Sequence, residues 1–127
     1  MATNILIADD HDDNRELLQL LLAGAGYDVR QARDGSECLA LALDHPPDLI
    51  VMDLSMPVLD GWGVFRELKA DDRTRTIPCM AVTAHELDRN QALETGFSAY
   101  VSKPFSADAL LKTIATVLAN RKLAEQS

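Results

Sequence analysis

Apolar residues follow two alternating rhythms along this chain. Short unbroken runs occupy residues 4–8, 27–32, 48–52, 78–82 and 99–101, and four of the five are rich in Ile, Leu, Val or Met. Runs with so little polar alternation suit strands covered on both faces of a parallel sheet. The run around Tyr100 is weaker and suits an edge. Between the runs, apolar residues recur at helical spacing. Leu17, Leu18, Leu21 and Leu22 form one stripe, ended by Gly24 and Gly26. Leu39, Ala42 and Leu43 form a second, stopped by Pro46 and Pro47. Trp62, Phe65 and Leu68 form a third, and a shorter, more polar fourth runs from Leu87 to Leu93 and closes at Gly96. Leu110, Leu111, Ile114, Val117 and Leu118 form the last, with Ser106 placed as its N-cap. Strand and helix thus alternate five times, which predicts a doubly wound α/β domain around a parallel sheet. One domain is expected over 1–120, with 121–127 a tail or linker stub, because the chain turns polar there.

Composition narrows the function classes. A chain of 127 residues with 47% apolar content has room for one real core and no second domain. Its 20 acidic against 12 basic side chains leave a net charge of −8, which disfavours nucleic acid and anionic membrane as partners. The run Ile5 to Ala8 is too short for a signal-peptide core and gives way to four aspartates, and Leu17 to Ala25 is too short to span a bilayer. Cys38 and Cys79 lack metal-ligand spacing and lie in apolar stretches, as buried reduced thiols do. A cytoplasmic location is expected.

Ligands of open α/β sheets bind beyond the carboxyl ends of the strands. Asp9 and Asp10 follow the first strand, Asp53 the third, Thr83 the fourth and Lys103 the fifth. Clustered carboxylates repel and recruit a cation, and oxygen donors without His or Cys suit Mg²⁺ better than Zn²⁺. A metal, an ammonium and a hydroxyl around a carboxylate make a place for a phosphoryl group, whose transfer depends on positioning and charge neutralisation. Each residue has a plainer role if taken alone, and the coincidence at strand ends decides between them. Asp12 and Asp13 are read as acidic residues favoured by a helix N-terminus. His11, His45 and His85 are read as structural or solvent-facing, only His11 being near the carboxylates in sequence. Trp62, Val64, Phe65 and Leu68 are helix core, and Gly24-Ala25-Gly26 lacks the third glycine of a dinucleotide fingerprint.

The stretches Ile5-Leu-Ile-Ala-Asp9-Asp10, Asp48-Leu-Ile-Val-Met-Asp53-Leu-Ser-Met56-Pro57-Val-Leu-Asp60-Gly61, Val82-Thr83-Ala84 and Gly96-Phe-Ser-Ala-Tyr100-Val-Ser-Lys103-Pro104-Phe105 occur in this order. Together they resemble the receiver domain of two-component response regulators, over residues 4 to about 120. The resemblance implies a flavodoxin-like (βα)₅ fold with strand order 2-1-3-4-5. It implies Asp53 as phosphoacceptor, Asp10 and Asp53 as direct Mg²⁺ ligands, Asp9 as a ligand through water and the Ser55 carbonyl as a further ligand, with Mn²⁺ able to substitute. It gives Lys103 and Thr83 to the phosphoryl oxygens, Thr83 and Tyr100 to the switch, and a cis peptide to Lys103–Pro104. Phe97 departs from the family's usual small residue, so the fourth helix is expected to pack differently against the fifth strand.

The function so implied is a signalling switch rather than an enzyme. A histidine kinase or histidine phosphotransfer protein supplies the phosphoryl group, and a downstream protein reads the result. The simplest form is a stand-alone receiver, a fragment of a hybrid kinase or longer regulator being the alternative. One rival is a phosphatase of the haloacid-dehalogenase type, which also uses Asp, Thr, Lys and Mg²⁺. Its nucleophile belongs on the first strand in Asp-x-Asp-x-Thr/Val, and Asp10-His-Asp12-Asp-Asn14 lacks that ending. The other rival is a binding module that no longer takes phosphate, against which the complete acceptor set speaks.

Overall fold

Strands and helices alternate through the computed structural model, which describes residues 2–84 and 88–126. The strands are β1 (Asn4–Ala8), β2 (Asp28–Ala32), β3 (Leu49–Met52), β4 (Cys79–Thr83) and β5 (Ala99–Ser102). The helices are α1 (Asp12–Gly24), α2 (Gly35–Asp44), α3 (Gly61–Ala70), α4 (Arg89–Thr95) and α5 (Ala107–Gln126). All strand pairs are parallel, in the order β2-β1-β3-β4-β5, as the resemblance implied. Strand ends differ from the sequence expectation by about one residue, as assigned ends commonly do.

The unbroken apolar runs are explained by the two cores they feed. Leu6 and Ala8 of β1, Ile50 and Met52 of β3, and Cys79 and Ala81 of β4 face one side, against Cys38 and Ala42 of α2, Val64 and Leu68 of α3 and Ala92 of α4. Ile5, Ile7, Leu49, Val51, Met80 and Val82 face the other, against Leu18 and Leu22 of α1 and Leu110, Ile114 and Val117 of α5. Alternate residues point to opposite faces, so both must be apolar when helices cover both. Burial of each such Leu or Ile contributes about 1.5–3 kcal/mol.

Local signals start and stop the helices. The Asp34 carboxylate accepts the Glu37 N–H at α2, and that of Asp60 accepts the Gly63 N–H at α3, each at 2.8 Å. The Ser106 hydroxyl accepts the Ala109 N–H at 3.0 Å, so the expected cap of the last helix forms. Gly96 closes α4 at φ 126°, a conformation costly for residues with a Cβ. Leu87, where the fourth helix was expected to begin, lies outside the described residues, as does His85. Helix α5 continues through 121–126, and Arg121 Nη1 donates to the Asp48 carbonyl at 2.5 Å, tying that end to the start of β3.

Phe97 lies in the turn between α4 and β5 and is buried. Its ring stacks on Phe65 at 4.3 Å and meets the edge of Trp62 at 5.7 Å, filling the space between α3 and the α4–β5 turn. Such aromatic pairs are worth about 0.5–1.5 kcal/mol beyond their area.

Candidate functional site

Parallel strands end together, so the segments leaving β1, β3 and β5 converge at one edge of the sheet. Asp53 follows β3 directly, and its N–H donates to the Ala8 carbonyl at 3.0 Å. That bond sets it beside Asp9, whose own N–H reaches the Ala32 carbonyl at 3.2 Å. Gly61 brings the loop after β3 back over this edge. A Cβ there would lie 2.7 Å from the Asp53 carbonyl oxygen, closer than side chains pack.

Lys103 joins the two carboxylates. Its Nζ stands 2.9 Å from Asp9 Oδ2 and 2.9 Å from Asp53 Oδ2, across 94 and 50 residues of sequence. The peptide bond to Pro104 is cis, as the resemblance implied. The Lys103 N–H donates to the Thr83 carbonyl at 2.9 Å, which holds the ends of β4 and β5 together. Burial is the largest single influence on the ammonium and lowers its pKa. Hydrogen bonds and charge from Asp53 and Asp9 together outweigh it, so the net displacement is upward and the group stays cationic.

The remaining carboxylate oxygens are distributed unequally. Asp53 Oδ1 accepts the Ser55 N–H and Asp9 Oδ1 the His11 N–H, both at 2.9 Å. Asp10 Oδ1 is buried and has no hydrogen-bond partner among the described residues. Ligand atoms of Asp9, Asp10, His11 and Asp53 all lie within 4.8 Å of one another. An orphaned carboxylate oxygen inside a predominantly oxygen cluster fits a hard divalent cation of the Mg²⁺ kind.

Thr83 sits at the carboxyl end of β4 opposite Ser102, and it is buried. Tyr100 pairs opposite Ala81, and its ring is already packed in the core shared by α2, α3 and α4. Its alternating position on β5 directs it to that face.

The description "response regulator receiver domain" matches residues 5–115 of the chain. The chain belongs to this family. The receiver is 38% identical over 120 residues to the polar-differentiation response regulator DivK of Brucella anthropi, covering 93% of this chain and 98% of that protein. Among solved structures, the chemotaxis response regulator CheY4 of Vibrio cholerae superposes with a TM-score of 0.86 at 28% identity, over 92% of this chain and 99% of CheY4. The receiver domain of the sensor histidine kinase PA1611 of Pseudomonas aeruginosa gives 0.86 at 30% identity, over 94% and 99%. That structure has a magnesium ion coordinated in its active site cleft. The protein is thus a two-component signalling receiver, and nothing in its relatives supports a haloacid-dehalogenase phosphatase. Among the described residues no helix is long and apolar enough to cross a membrane.

Two residues of the receiver's acidic edge escaped sequence reasoning. Arg15 is buried, donates from Nη1 to the Asp9 carbonyl at 2.7 Å, and pairs through Nη2 with Asp12. Its i,i+3 spacing from Asp12 was the available signal. His11 was discounted, yet its Nδ1 lies 3.3 Å from Asp9 Oδ1 and 3.2 Å from Asp10 Oδ1. His45, by contrast, is exposed and ends α2.

Proposed function

We propose that Asp53 is the phosphoacceptor of this receiver and that Asp9, Asp10, Asp53 and the Ser55 carbonyl hold Mg²⁺, with Mn²⁺ able to replace it. The observation that carries this is Lys103 Nζ at 2.9 Å from both Asp9 and Asp53, beside the orphaned Asp10 Oδ1. An Asp53 carboxylate oxygen attacks the phosphorus of a phosphohistidine on a kinase or phosphotransfer protein. The P–N bond breaks, and the donor imidazole leaves with its electron pair. The Lys103 ammonium offsets charge on the phosphoryl oxygens, and the Thr83 hydroxyl donates to one of them. The cation supplies further neutralisation of those oxygens when bound. Water later attacks the acyl phosphate and restores the carboxylate, so the chain modifies itself and turns over no external substrate. The setting is the cytoplasm, where phosphorelay partners and free Mg²⁺ meet.

Intact mass after incubation with acetyl phosphate and Mg²⁺ tests the assignment. The parent gains one phosphoryl group, and Asp53→Asn or excess chelator abolishes the gain. Unchanged labelling of Asp53→Asn would move the acceptor elsewhere.

The output runs through Thr83 and Tyr100 on adjacent strands. A phosphoryl group on Asp53 adds strong acceptors near the Thr83 hydroxyl. Drawing Thr83 toward them favours the inward-packed Tyr100 conformer, which is populated before phosphorylation, and alters the surface of α4, β5 and α5. The shift is limited to the difference in interaction between the two states, a few kcal/mol at most on the order of other allosteric couplings. Thr83→Ala keeps Asp53 phosphorylation and loses most of the gain in partner affinity. A full gain in that variant removes Thr83 from the coupling.

A further inference from the structure

Asp9, Asp10 and His11 are consecutive, and the chain turns sharply at them before α1 begins at Asp12. The His11 N–H bonds to Asp9 Oδ1 at 2.9 Å and folds the imidazole back over the acidic edge. His11 is extended at φ −95° and ψ 120°, so this placement costs no unusual backbone conformation. The ring nitrogen Nδ1 comes to 3.3 Å from Asp9 Oδ1 and 3.2 Å from Asp10 Oδ1.

Those separations match neighbouring donors around one small cation. With metal–ligand bonds of about 2.0–2.2 Å, adjacent ligands of an octahedral ion lie roughly 3 Å apart and opposite ones roughly 4 Å. The donor atoms of Asp9, Asp10, His11 and Asp53 all fall within 4.8 Å of one another. Asp10 Oδ1 provides an independent sign. It is buried, and the approach of His11 does not satisfy it as a hydrogen bond. His11 Nδ1 has Asp9 Oδ1 as its hydrogen-bond partner and stands at 3.2 Å from the orphaned Asp10 Oδ1, so one ring nitrogen is placed beside both carboxylates, as a co-ligand would be. The His11 side chain is 66% exposed, so its ring can settle onto a cation without disturbing the core.

We infer that His11 Nδ1 is a direct ligand in the acceptor site and makes it a mixed nitrogen–oxygen site that favours late first-row cations such as Ni²⁺ over Mg²⁺. The inference rests on the metal site proposed above and adds a selectivity residue to it. Carboxylates alone hold hard cations with little discrimination. One imidazole raises affinity along the series from Mn²⁺ to Ni²⁺ and adds little for Mg²⁺, which prefers oxygen. The receiver then takes Mg²⁺ when that ion is abundant and is displaced from it by trace transition metals.

The test uses the full chain at neutral pH, titrated calorimetrically with Mg²⁺ and with Ni²⁺, as parent, His11→Gln and Asp10→Asn. His11→Gln lowers Ni²⁺ affinity by about tenfold or more, in line with the loss of one imidazole ligand, and leaves Mg²⁺ affinity within about twofold. Pulsed electron paramagnetic resonance of the Mn²⁺-loaded parent shows ¹⁴N coupling from a bound imidazole, and His11→Gln lacks it. Equal losses for both cations, or ¹⁴N coupling that is absent from the parent or survives in His11→Gln, overturn the assignment of His11. Retention of both cations by Asp10→Asn, or no Mg²⁺ binding by the parent, overturns the metal site itself.

Discussion

Replacing Lys103 by Met isolates what the ammonium does for the fold. Its Nζ lies 2.9 Å from a carboxylate oxygen of Asp9 and of Asp53, whose side chains are only 2% and 8% exposed. Methionine keeps the length and apolar stem but leaves these two carboxylates adjacent, largely buried and uncompensated, with Asp10 beside them. At an effective dielectric of about 20, each contact is worth about 6 kcal/mol before desolvation. Removing one partner of a buried ion pair costs about 3–5 kcal/mol in measured cases. Lys103 is itself 19% exposed, which places this site at the lower end, about 3 kcal/mol. Urea unfolding in chelator should show that loss, equal to roughly 10 °C in Tm for a chain of this size. Asp53→Asn removes one of the two carboxylates, so Lys103→Met should cost less in that background, and the double-mutant cycle gives the coupling. Mg²⁺ should stabilise Lys103→Met more than the parent, because the ion takes over the missing neutralisation. A variant within about 0.5 kcal/mol of the parent in chelator, with no coupling to Asp53, would refute the account of Lys103 as the neutralising group.

Val58 has φ 70°, in the left-handed region, where the Leu59 N–H closes a three-residue turn onto the Pro57 carbonyl at 2.8 Å. Its side chain is 85% exposed, so Val58→Gly loses no packing and should raise stability by about 1 kcal/mol in urea unfolding, the relief of strain exceeding the added freedom of the unfolded chain. Burial pushes both the Cys38 and Cys79 thiols up to about 12, with Cys79 adding to the effect at Cys38. Native protein should therefore resist thiol-specific labelling that goes to completion in denaturant. The unfolded thiols ionise near their ordinary 9.0 while the folded ones keep their protons, so this contribution to stability is whole below pH 9 and drains away as pH rises toward 12. Cys79→Ala should flatten the alkaline fall in stability by up to about 1.4 kcal/mol per pH unit, and an unchanged slope would count against it.

The amino-acid sequence by itself determined the architecture and the membership of the acidic edge. Unbroken runs such as Leu49–Met52 need both faces covered, and that requirement is local, as are the caps at Asp34, Asp60 and Ser106. Asp9, Asp10, Asp53, Thr83 and Lys103 were legible because parallel strands bring their carboxyl ends to one edge whatever the packing details. Packing details decided the rest. Which oxygens Lys103 grips across 94 and 50 residues depends on where the cores set β1, β3 and β5 relative to one another. The fold of His11 over Asp9 turns on one backbone hydrogen bond, and the burial of Arg15 on the Asp9 carbonyl beside it. The inward set of Tyr100 and the Phe65–Phe97 stack arise where α3 and α4 meet the sheet. Periodicity records which face of an element is apolar, whereas distances between side chains remote in sequence exist only once two cores have closed around a shared sheet.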